Sequence, residues 1–426
     1  NGSSTGPSVT TGFKPDFILI KRTDATEDWK VIDSRRGFAN ALEPNEGIAE
    51  EANNNSNFTF SSTGFQIGDT HGDFNANNGT YIYWAVAKNV PSNTTLADSF
   101  GVVRYTGLAA SRKIQGISFR PDLVWLKERS GTDRHVLIDS LRGEDSQISS
   151  NDYAAQTTYA SNFDGFESNG FTLGSATETN GTGETYAAWT WKAGNTWQSN
   201  VDGTIPSLVN VNTAAGFSIV KYTGNGVSNA TVGHGLSSAP KFFLNKSLGH
   251  GQGWAVVHDA LQTGYNLGLH NSNAETNSMG GDGGITKGDM NSTTFGFTAG
   301  TSGVNGANKD ATEFISYCWV EISGFSKFGS YNGSGSSNSI TGLGFRPDTL
   351  ILKEIDGGDS WQLYDTVRGS GKVVYPNGTN AEYAGSELTS FDSDGFTVSG
   401  NSSNNESGKK YLYAAWKMNT TLNTTL

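Results

Sequence analysis

The sequence is poor in cysteine, in charge and in long apolar runs. Cys318 is the single cysteine among 426 residues, which excludes an intrachain disulfide and favours folding in a reducing cytosol. No apolar run approaches the roughly 18 residues of a spanning helix, so membrane insertion is not expected. Charged residues make up 16% of the chain and leave a net charge of −12 without a basic cluster, so nucleic-acid binding is not expected either.

The chain is instead rich in glycine and aromatic residues, with 55 glycines, 10 tryptophans, 15 tyrosines and 23 phenylalanines. Short apolar runs alternate with glycine- and asparagine-rich turns, whereas helical periodicity is nearly absent. This pattern is typical of antiparallel β-structure. We therefore predict an all-β fold of four tandem antiparallel β-sandwiches of jelly-roll, lectin-like type.

One motif occurs four times. A proline opens an apolar strand, a lysine follows six residues later, a tryptophan or histidine follows eight residues after the lysine, and an aspartate closes the next strand. The four prolines lie 106, 119 and 107 residues apart, which is one small domain each. The motif residues are Pro15, Lys21, Trp29, Asp33 and Arg36; Pro121, Lys127, His135, Asp139 and Arg142; Pro240, Lys246, Trp254 and Asp259; and Pro347, Lys353, Trp361, Asp365 and Arg368.

The repeat divides the chain into four modules, each expected to have its own core. Module 1 is residues 1–98, and its first strand is expected upstream of residue 1. Module 2 is 99–194, and a linker at 195–214 is expected to act as a hinge or as an exchanged strand. Module 3 is 215–323, and module 4 is 324–426.

The spacing within each module predicts a hairpin in which the lysine faces the tryptophan or histidine. Three of these pairs are candidates for cation–π contacts. The aspartate, followed three residues later by arginine and then glycine in three modules, predicts a turn that the carboxylate and guanidinium brace. The third module lacks the arginine, so its turn should differ. Because the aspartate and lysine recur four times, we interpret them as scaffold, with no catalytic residues.

Several residues are candidates for binding carbohydrate. Trp29, Trp254 and Trp361 could stack on sugar rings, although packing across the hairpin is the alternative interpretation. His250 and Asp73 lie in loops that vary between modules, at 249–253 and 69–74, and a third variable loop lies at 357–359.

No metal or cofactor is predicted. Four histidines, at positions 234, 250, 258 and 270, fall in module 3, but their spacing is too wide for a metal site. The run Phe391-Asp-Ser-Asp-Gly395 resembles the start of a calcium loop without its later ligands, so a plain turn fits it better.

Longer motifs carry a resemblance to a known family. They are Gly12-Phe-Lys-Pro-Asp16, Tyr186-Ala-Ala-Trp-Thr-Trp-Lys-Ala-Gly194, Gly216-Phe-Ser-Ile-Val-Lys-Tyr-Thr-Gly-Asn-Gly226 and the segment from Ile315 to Tyr331. With them the chain resembles, over nearly its whole length, a tandem module of tail-fibre and other virion surface proteins of bacteriophages, especially marine ones.

The resemblance implies a non-enzymatic virion surface protein, either a tail fibre or a capsid fibre, made in the host cytoplasm. It would be an extended arm for host attachment that contacts other virion proteins and a host glycan or receptor. A homo-oligomer is implied, with a trimer as one form. The alternatives are a lectin-like adhesin of a bacterial surface and a glycan-degrading tail spike.

Overall fold

The computed structural model describes residues 2–3, 5–11, 15–33, 36, 40–52, 58–61, 64–68, 70–86, 96–194, 196–277, 284–297, 306–400 and 403–418. The chain separates into two compact units, Asn1–Asn93 (unit 1) and Thr94–Leu426 (unit 2). The prediction of an all-β, antiparallel chain is confirmed. In the part of the chain that the structure describes, no helix has the length and apolarity to span a membrane.

Unit 1 falls within module 1 and forms three small sheets, with strand orders β3-β2-β8, β1-β7-β6 and β4-β5. Isoleucines of the first sheet and phenylalanines of the second meet in one core. The elements are β1 (Ser8–Thr10), β2 (Phe17–Arg22), β3 (Lys30–Asp33), β4 (Asn40–Ala41), β5 (Glu51–Ala52), β6 (Phe58–Ser61), β7 (Gly64–Ile67), α1 (Gly72–Asn75) and β8 (Tyr81–Val86).

Unit 2 contains modules 2 to 4. In module 2, a 3₁₀ segment (Leu96–Ser99) precedes β9 (Phe100–Thr106), β10 (Arg112–Gln115), β11 (Leu123–Glu128), β12 (Val136–Asp139), β13 (Ser146–Gln147), β14 (Thr157–Thr158), β15 (Gly165–Glu167), β16 (Gly170–Leu173), α2 (Thr177–Asn180) and β17 (Thr185–Trp191). Segment 195–214 carries β18 (Gln198–Asn200) and β19 (Ser207–Asn212).

The remaining strands belong to modules 3 and 4. Module 3 has β20 (Phe217–Thr223), β21 (Thr231–Gly233), β22 (Phe242–Ser247), β23 (Ala255–His258), β24 (Thr294–Gly296) and β25 (Glu313–Trp319). Module 4 has β26 (Ser326–Asn332), β27 (Asn338–Thr341), β28 (Thr349–Glu354), β29 (Gln362–Asp365), β30 (Lys372–Val373), β31 (Tyr383–Ala384), β32 (Leu388–Asp392), β33 (Gly395–Val398) and β34 (Lys410–Trp416).

The modules of unit 2 share one strand order. The larger sheets run β12-β11-β17-β9 in module 2 and β29-β28-β34-β26 in module 4, and each has a three-stranded sheet beside it. Module 3 repeats the order as β23-β22-β25-β20 and extends it through β19 and β18. The linker predicted at 195–214 is therefore corrected: its strand β19 pairs with β20 along the edge of the module 3 sheet, where its backbone N–H and C=O groups are satisfied.

Segment 195–214 also joins module 3 to module 2 through a buried side chain. The amide nitrogen of Asn210 donates to the Asp122 carboxylate at 3.0 Å and to the Ser140 hydroxyl at 3.2 Å. The Asp122 carboxylate in turn accepts from the Ala193 N–H at 2.8 Å. These bonds hold the segment against both modules, so it does not behave as an open hinge.

Each large sheet is buried on both faces. In β11, Val124 and Leu126 face the small sheet of module 2 in one cluster, whereas Leu123 and Trp125 face the opposite way into another. Modules 3 and 4 have the corresponding inner clusters. The outer faces of all three large sheets meet in a single shared core. The expectation of four separately cored modules thus holds only in part, because modules 2 to 4 have both their own cores and a common one.

Three tryptophans mark the centre of the shared core. Trp191, Trp319 and Trp416 end the last strand of modules 2, 3 and 4, and their ring centroids lie 5.8, 5.6 and 5.8 Å apart in the pairs 191–319, 191–416 and 319–416. Since equivalent residues meet at nearly equal distances, modules 2 to 4 are related by an approximate threefold axis. We refer to them together as the ring.

Candidate functional site

The predicted hairpin register is confirmed. Phe17 pairs with Asp33, Leu123 with Asp139, Phe242 with His258 and Thr349 with Asp365. Continuing each ladder to the loop places every motif lysine opposite the tryptophan or histidine eight residues later. The loops that follow β11, β22 and β28 therefore occupy equivalent positions around the ring.

In the part of the chain that the structure describes, the motif lysines form hydrogen bonds in place of the predicted cation–π contacts. Their ammonium groups instead donate to carbonyls of the hairpin loop: Lys127 binds Glu128 at 2.5 Å and Gly131 at 3.3 Å. Lys353 repeats this with Glu354 at 2.5 Å and Gly357 at 3.1 Å. The carbonyls compete better for the ammonium because a buried cation needs directed hydrogen bonds, which a ring face does not supply.

Burial lowers the pKa of Lys127 and Lys353 to about 8. Both ammonium groups therefore remain mostly protonated at pH 7 and keep donating to their loops. Lys21 donates to the Arg22 carbonyl at 2.7 Å, and Lys246 donates to the Gln252 carbonyl. Each of the four hairpin loops is therefore hydrogen-bonded to the motif lysine of its own module. The loops are consequently preorganised.

The prediction that tryptophans stack on sugar rings is corrected for two of the three. Trp254 and Trp361 are 0% exposed and lie in the shared core, so no sugar can reach their rings. Their indole N–H groups donate to the neighbouring module, and the equivalent His135 does the same. The pairs are Trp254 with the Ser149 carbonyl (2.7 Å), Trp361 with Gly268 (2.8 Å) and His135 with Tyr375 (3.0 Å).

Backbone groups repeat the same cycle of contacts. The pairs, donor first, are Gln156 with Leu248 (3.1 Å), Glu275 with Ile355 (2.7 Å) and Glu382 with Arg129 (2.8 Å). Each set of bonds joins module 2 to 3, 3 to 4 and 4 to 2. The contact is therefore of head-to-tail type, and it closes after three modules.

The predicted aspartate turn is confirmed where the arginine is present. Asp139 accepts the Arg142 backbone N–H at 3.0 Å and its guanidinium at 2.5 Å, and Gly143 follows with φ +92°. Asp365 and Arg368 repeat this geometry. Module 3 differs, as expected, because there the His258 ring accepts the N–H of Ala260 at 3.0 Å.

These turns also bind the neighbouring module. The Tyr317 hydroxyl donates to Asp139 at 2.7 Å, and the Trp189 indole donates to Asp365 at 3.1 Å. The Arg368 guanidinium lies 5.0 Å from the centre of the Trp189 ring. Asp139 and Asp365 thus serve as acceptors between modules as well as within their own turns, whereas in module 3 the strand ends at His258 and Asp259 lies one residue beyond it.

The structure places the remaining candidate residues in different environments. Asp73 is 4% exposed and lies 3.3 Å from the Lys30 ammonium inside unit 1, so its proposed role as a surface ligand is corrected. His250 is half-buried, and its imidazole Nδ1 lies 2.6 Å from the Ser247 hydroxyl, at the start of the hairpin loop of module 3. Trp29 is half-buried in unit 1 and remains a candidate.

Three equivalent loops form the site that the structure favours. We call them the loop rim: residues 129–134, 248–253 and 355–360. They include Ser130, Gly249 and Asp356, which occupy equivalent positions, are exposed and differ between the modules. Tyr153, 54% exposed, lies beside the rim with its ring 4.2 Å from that of His270. Tyr153 was missed by the sequence analysis because it lies outside the repeated motif.

A cluster of three carboxylates beside the loop rim could hold a hard cation. Glu128, Asp133 and Glu184 place oxygen atoms within 4.8 Å of one another. Burial, and next the Glu128 charge, raise the pKa of Asp133. In module 4 the equivalent of Glu184 is Lys409, whose ammonium lies 3.0 Å from Glu354.

The predicted plain turn at 391–395 is supported. Asp392 accepts the hydroxyls of Ser390 and Thr397, both at 2.7 Å, while Asp394 accepts the backbone N–H groups of Gly342 and Gly344. Each of these four carboxylate oxygens thus accepts one hydrogen bond that braces the turn.

The buried histidines use both ring nitrogens for protein contacts. His258 accepts the Ala260 N–H and donates to the Tyr413 carbonyl at 3.1 Å, and His234 spans Leu236 and Asn291 in the same way. Such rings are structural, because neither nitrogen retains a free lone pair for a metal.

The chain matches a family described as a domain of unknown function (DUF7483) over residues 1–90, 95–366 and 330–425. No curated protein and no solved structure matches it.

Proposed function

Since the chain belongs to the DUF7483 family, whose description gives no activity, we propose its function from its own geometry: it is a non-enzymatic surface protein of a bacteriophage particle that attaches to the host through the loop rim. The observation that carries the proposal is the placement of three different loops at equivalent positions around one ring.

The repeated and the variable residues support this division of roles. Motif residues such as Trp254, Trp361 and Asp365 are buried and hold the modules together. Loop residues such as Ser130, Gly249 and Asp356, at one equivalent position, are exposed and differ between modules. Weak contacts from three rigid loops add up when they engage one surface, because each contact after the first is intramolecular.

The proposal departs from an extended arm in one respect. Modules 2 to 4 share a core, so within unit 2 they form a closed ring. Repeating the module in unit 2 therefore does not lengthen an arm. The two-layer packing of each module supports a lectin-like, jelly-roll interpretation. Glycans of the host surface are the proposed ligands, because the rim presents exposed polar residues such as Ser130 and Asp356, and the exposed Tyr153 ring beside it can stack on a sugar ring.

Attachment can be tested by competition. Purified chain, incubated with host cells, should lower the adsorption of the phage that encodes it. The variant Gly358→Gln should compete several-fold less well, since position 358 has open space for a side chain and no strain that would disturb folding. The control Arg346→Ala alters the opposite end of β28 and should compete as well as the unmodified chain.

Location and turnover separate the alternatives. Mass spectrometry of purified particles should detect the chain, whereas its recovery only from the bacterial envelope would identify an adhesin. On a glycan array the chain should bind without releasing products. Release of shortened glycans would overturn the non-enzymatic assignment in favour of a degrading spike.

A further inference from the structure

Unit 1 has an exposed apolar sheet face. On β8 the side chains of Ile82, Trp84 and Val86 are 52%, 66% and 39% exposed, and Leu42 nearby is 37% exposed. Phe17 on β2 lies on the same face and is half-buried. A contiguous face of this kind marks an interaction surface.

The same face is the buried one in every module of the ring. Val86 pairs with Phe17 as Trp191, Trp319 and Trp416 pair with the first residues of β11, β22 and β28. Ile82 pairs with Lys21, and its equivalents, Ala187, Ile315 and Leu412, are all 0% exposed in the shared core.

Unit 1 also carries both halves of the polar contact that joins modules 4 and 2. In the ring, the Trp189 indole donates to Asp365 while Arg368 covers its ring. The equivalent residues of unit 1 are Trp84, Asp33 and Arg36. Asp33 and Arg36 already form the same pair, with Nε 2.7 Å from the carboxylate.

A second donor repeats the correspondence. Trp29 occupies the position of Trp254 and Trp361, whose indoles donate to the next module. Among the described residues, the Trp29 indole N–H has no partner. The backbone N–H of Trp29 is bound by Asn45 at 2.9 Å, as that of Trp361 is by Asn377 at 3.0 Å, so the local frame is the same.

We propose that three copies of this chain associate through unit 1, with each exposed face occupied by the same face of the two other copies. Trp84 of one chain would meet Asp33 and Arg36 of the next, as Trp189 meets Asp365 and Arg368. Donor and acceptor lie on different parts of the module, so the contact is head-to-tail and closes after three copies, as it does in the ring. A further strand along the edge of β8 would leave this face open, because β9, β20 and β26 pair with that edge in the ring without covering the face.

The solution mass of the 426-residue chain tests the proposal. Light scattering should give three times the chain mass of 45.3 kDa. Trp84→Lys should give a monomer that keeps its native circular dichroism spectrum, because the side chain is exposed within its own chain. Trp84→Phe keeps the ring but loses the N–H, and should raise the concentration for half-dissociation by about tenfold. The matched control Trp197→Lys alters a side chain 48% exposed in unit 2 and should stay trimeric.

Photo-cross-linking identifies the occupant. With p-benzoylphenylalanine at position 84, mixed isotope-labelled and unlabelled chains should cross-link between chains, to peptides containing Asp33 and Arg36. A monomer at every concentration, a trimer that survives Trp84→Lys, or cross-links within one chain only would each overturn the proposal. The proposal does not depend on host attachment, since competition for adsorption and solution mass are measured separately.

Discussion

At the residue scale, three indole groups pack together where the ring modules meet. Trp191, Trp319 and Trp416 pack against one another, yet the indole N–H of each is buried without a partner among the described residues. Their contribution to stability therefore comes from ring packing, with no hydrogen bond to offset desolvation of the N–H.

Substitution at Trp319 should separate these two contributions. Trp319→Ala should lower the free energy of unfolding of unit 2 by about 3–5 kcal/mol, because it leaves a cavity in the shared core. Trp319→Phe should cost markedly less, since it removes an unsatisfied donor while keeping an aromatic ring. Denaturant titration measures both, with Trp197→Phe as the exposed control. Equal losses for the two variants would contradict a packing role.

His258 should make unit 2 sensitive to acid. Burial lowers its pKa to about 4, even though the Tyr413 carbonyl acts in the opposite direction. Because the unfolded chain binds this proton near pH 6.5 and the folded chain does so only near 4, stability is lost as the pH falls through that window. The loss from this residue amounts to roughly 3 kcal/mol at pH 4 relative to pH 7.

The measurement is the free energy of unfolding against pH. His258→Asn should flatten the slope between pH 4 and 6.5, even if its stability at pH 7 is lower. The control His71→Asn, at a side chain 44% exposed in unit 1, should leave the slope of unit 2 unchanged. An identical slope in His258→Asn would show that the ring does not titrate there.

At the scale of elements, each hairpin is a strand pair whose loop conformation is stabilised by hydrogen bonds from a buried lysine. Lys353→Met should keep the apolar packing of the side-chain stem but leave two loop carbonyls without their donor, at a cost of about 1–3 kcal/mol. Hydrogen exchange should accelerate in residues 355–360 more than elsewhere. Lys309→Met, at an exposed position, is the control. Uniform acceleration over the whole unit would argue against a local role.

At the scale of the whole molecule, the shared core predicts cooperative unfolding of the ring. Strands β11, β22 and β28 should lose protection from hydrogen exchange at the same denaturant concentration, because each has one face in the common core. Trp319→Ala should then shift all three midpoints together. A shift confined to module 3 would mean that the modules unfold independently despite their contacts.

Much of the local structure was predictable from sequence. The register of every hairpin followed from the Pro-to-Lys-to-Trp spacing, and the aspartate turn followed from the order Asp, Arg, Gly. Both depend on contacts between residues near in the chain. The use of the lysine was not predictable, because the choice between a ring face and loop carbonyls depends on which group the folded loop brings closer.

The sequence contained one indication that the modules pack against each other. Strands such as Leu123-Val-Trp-Leu126 are apolar at consecutive positions, which indicates burial on both faces. Phe17-Ile-Leu-Ile20 shows the same run, and its outer face is the exposed one in unit 1. The sequence by itself determined strands, register and turns, since local spacing specifies them. Only the tertiary structure decided that three modules close into a ring, because the Trp254, Trp361 and His135 donors lie more than 90 residues from their acceptors in the next module.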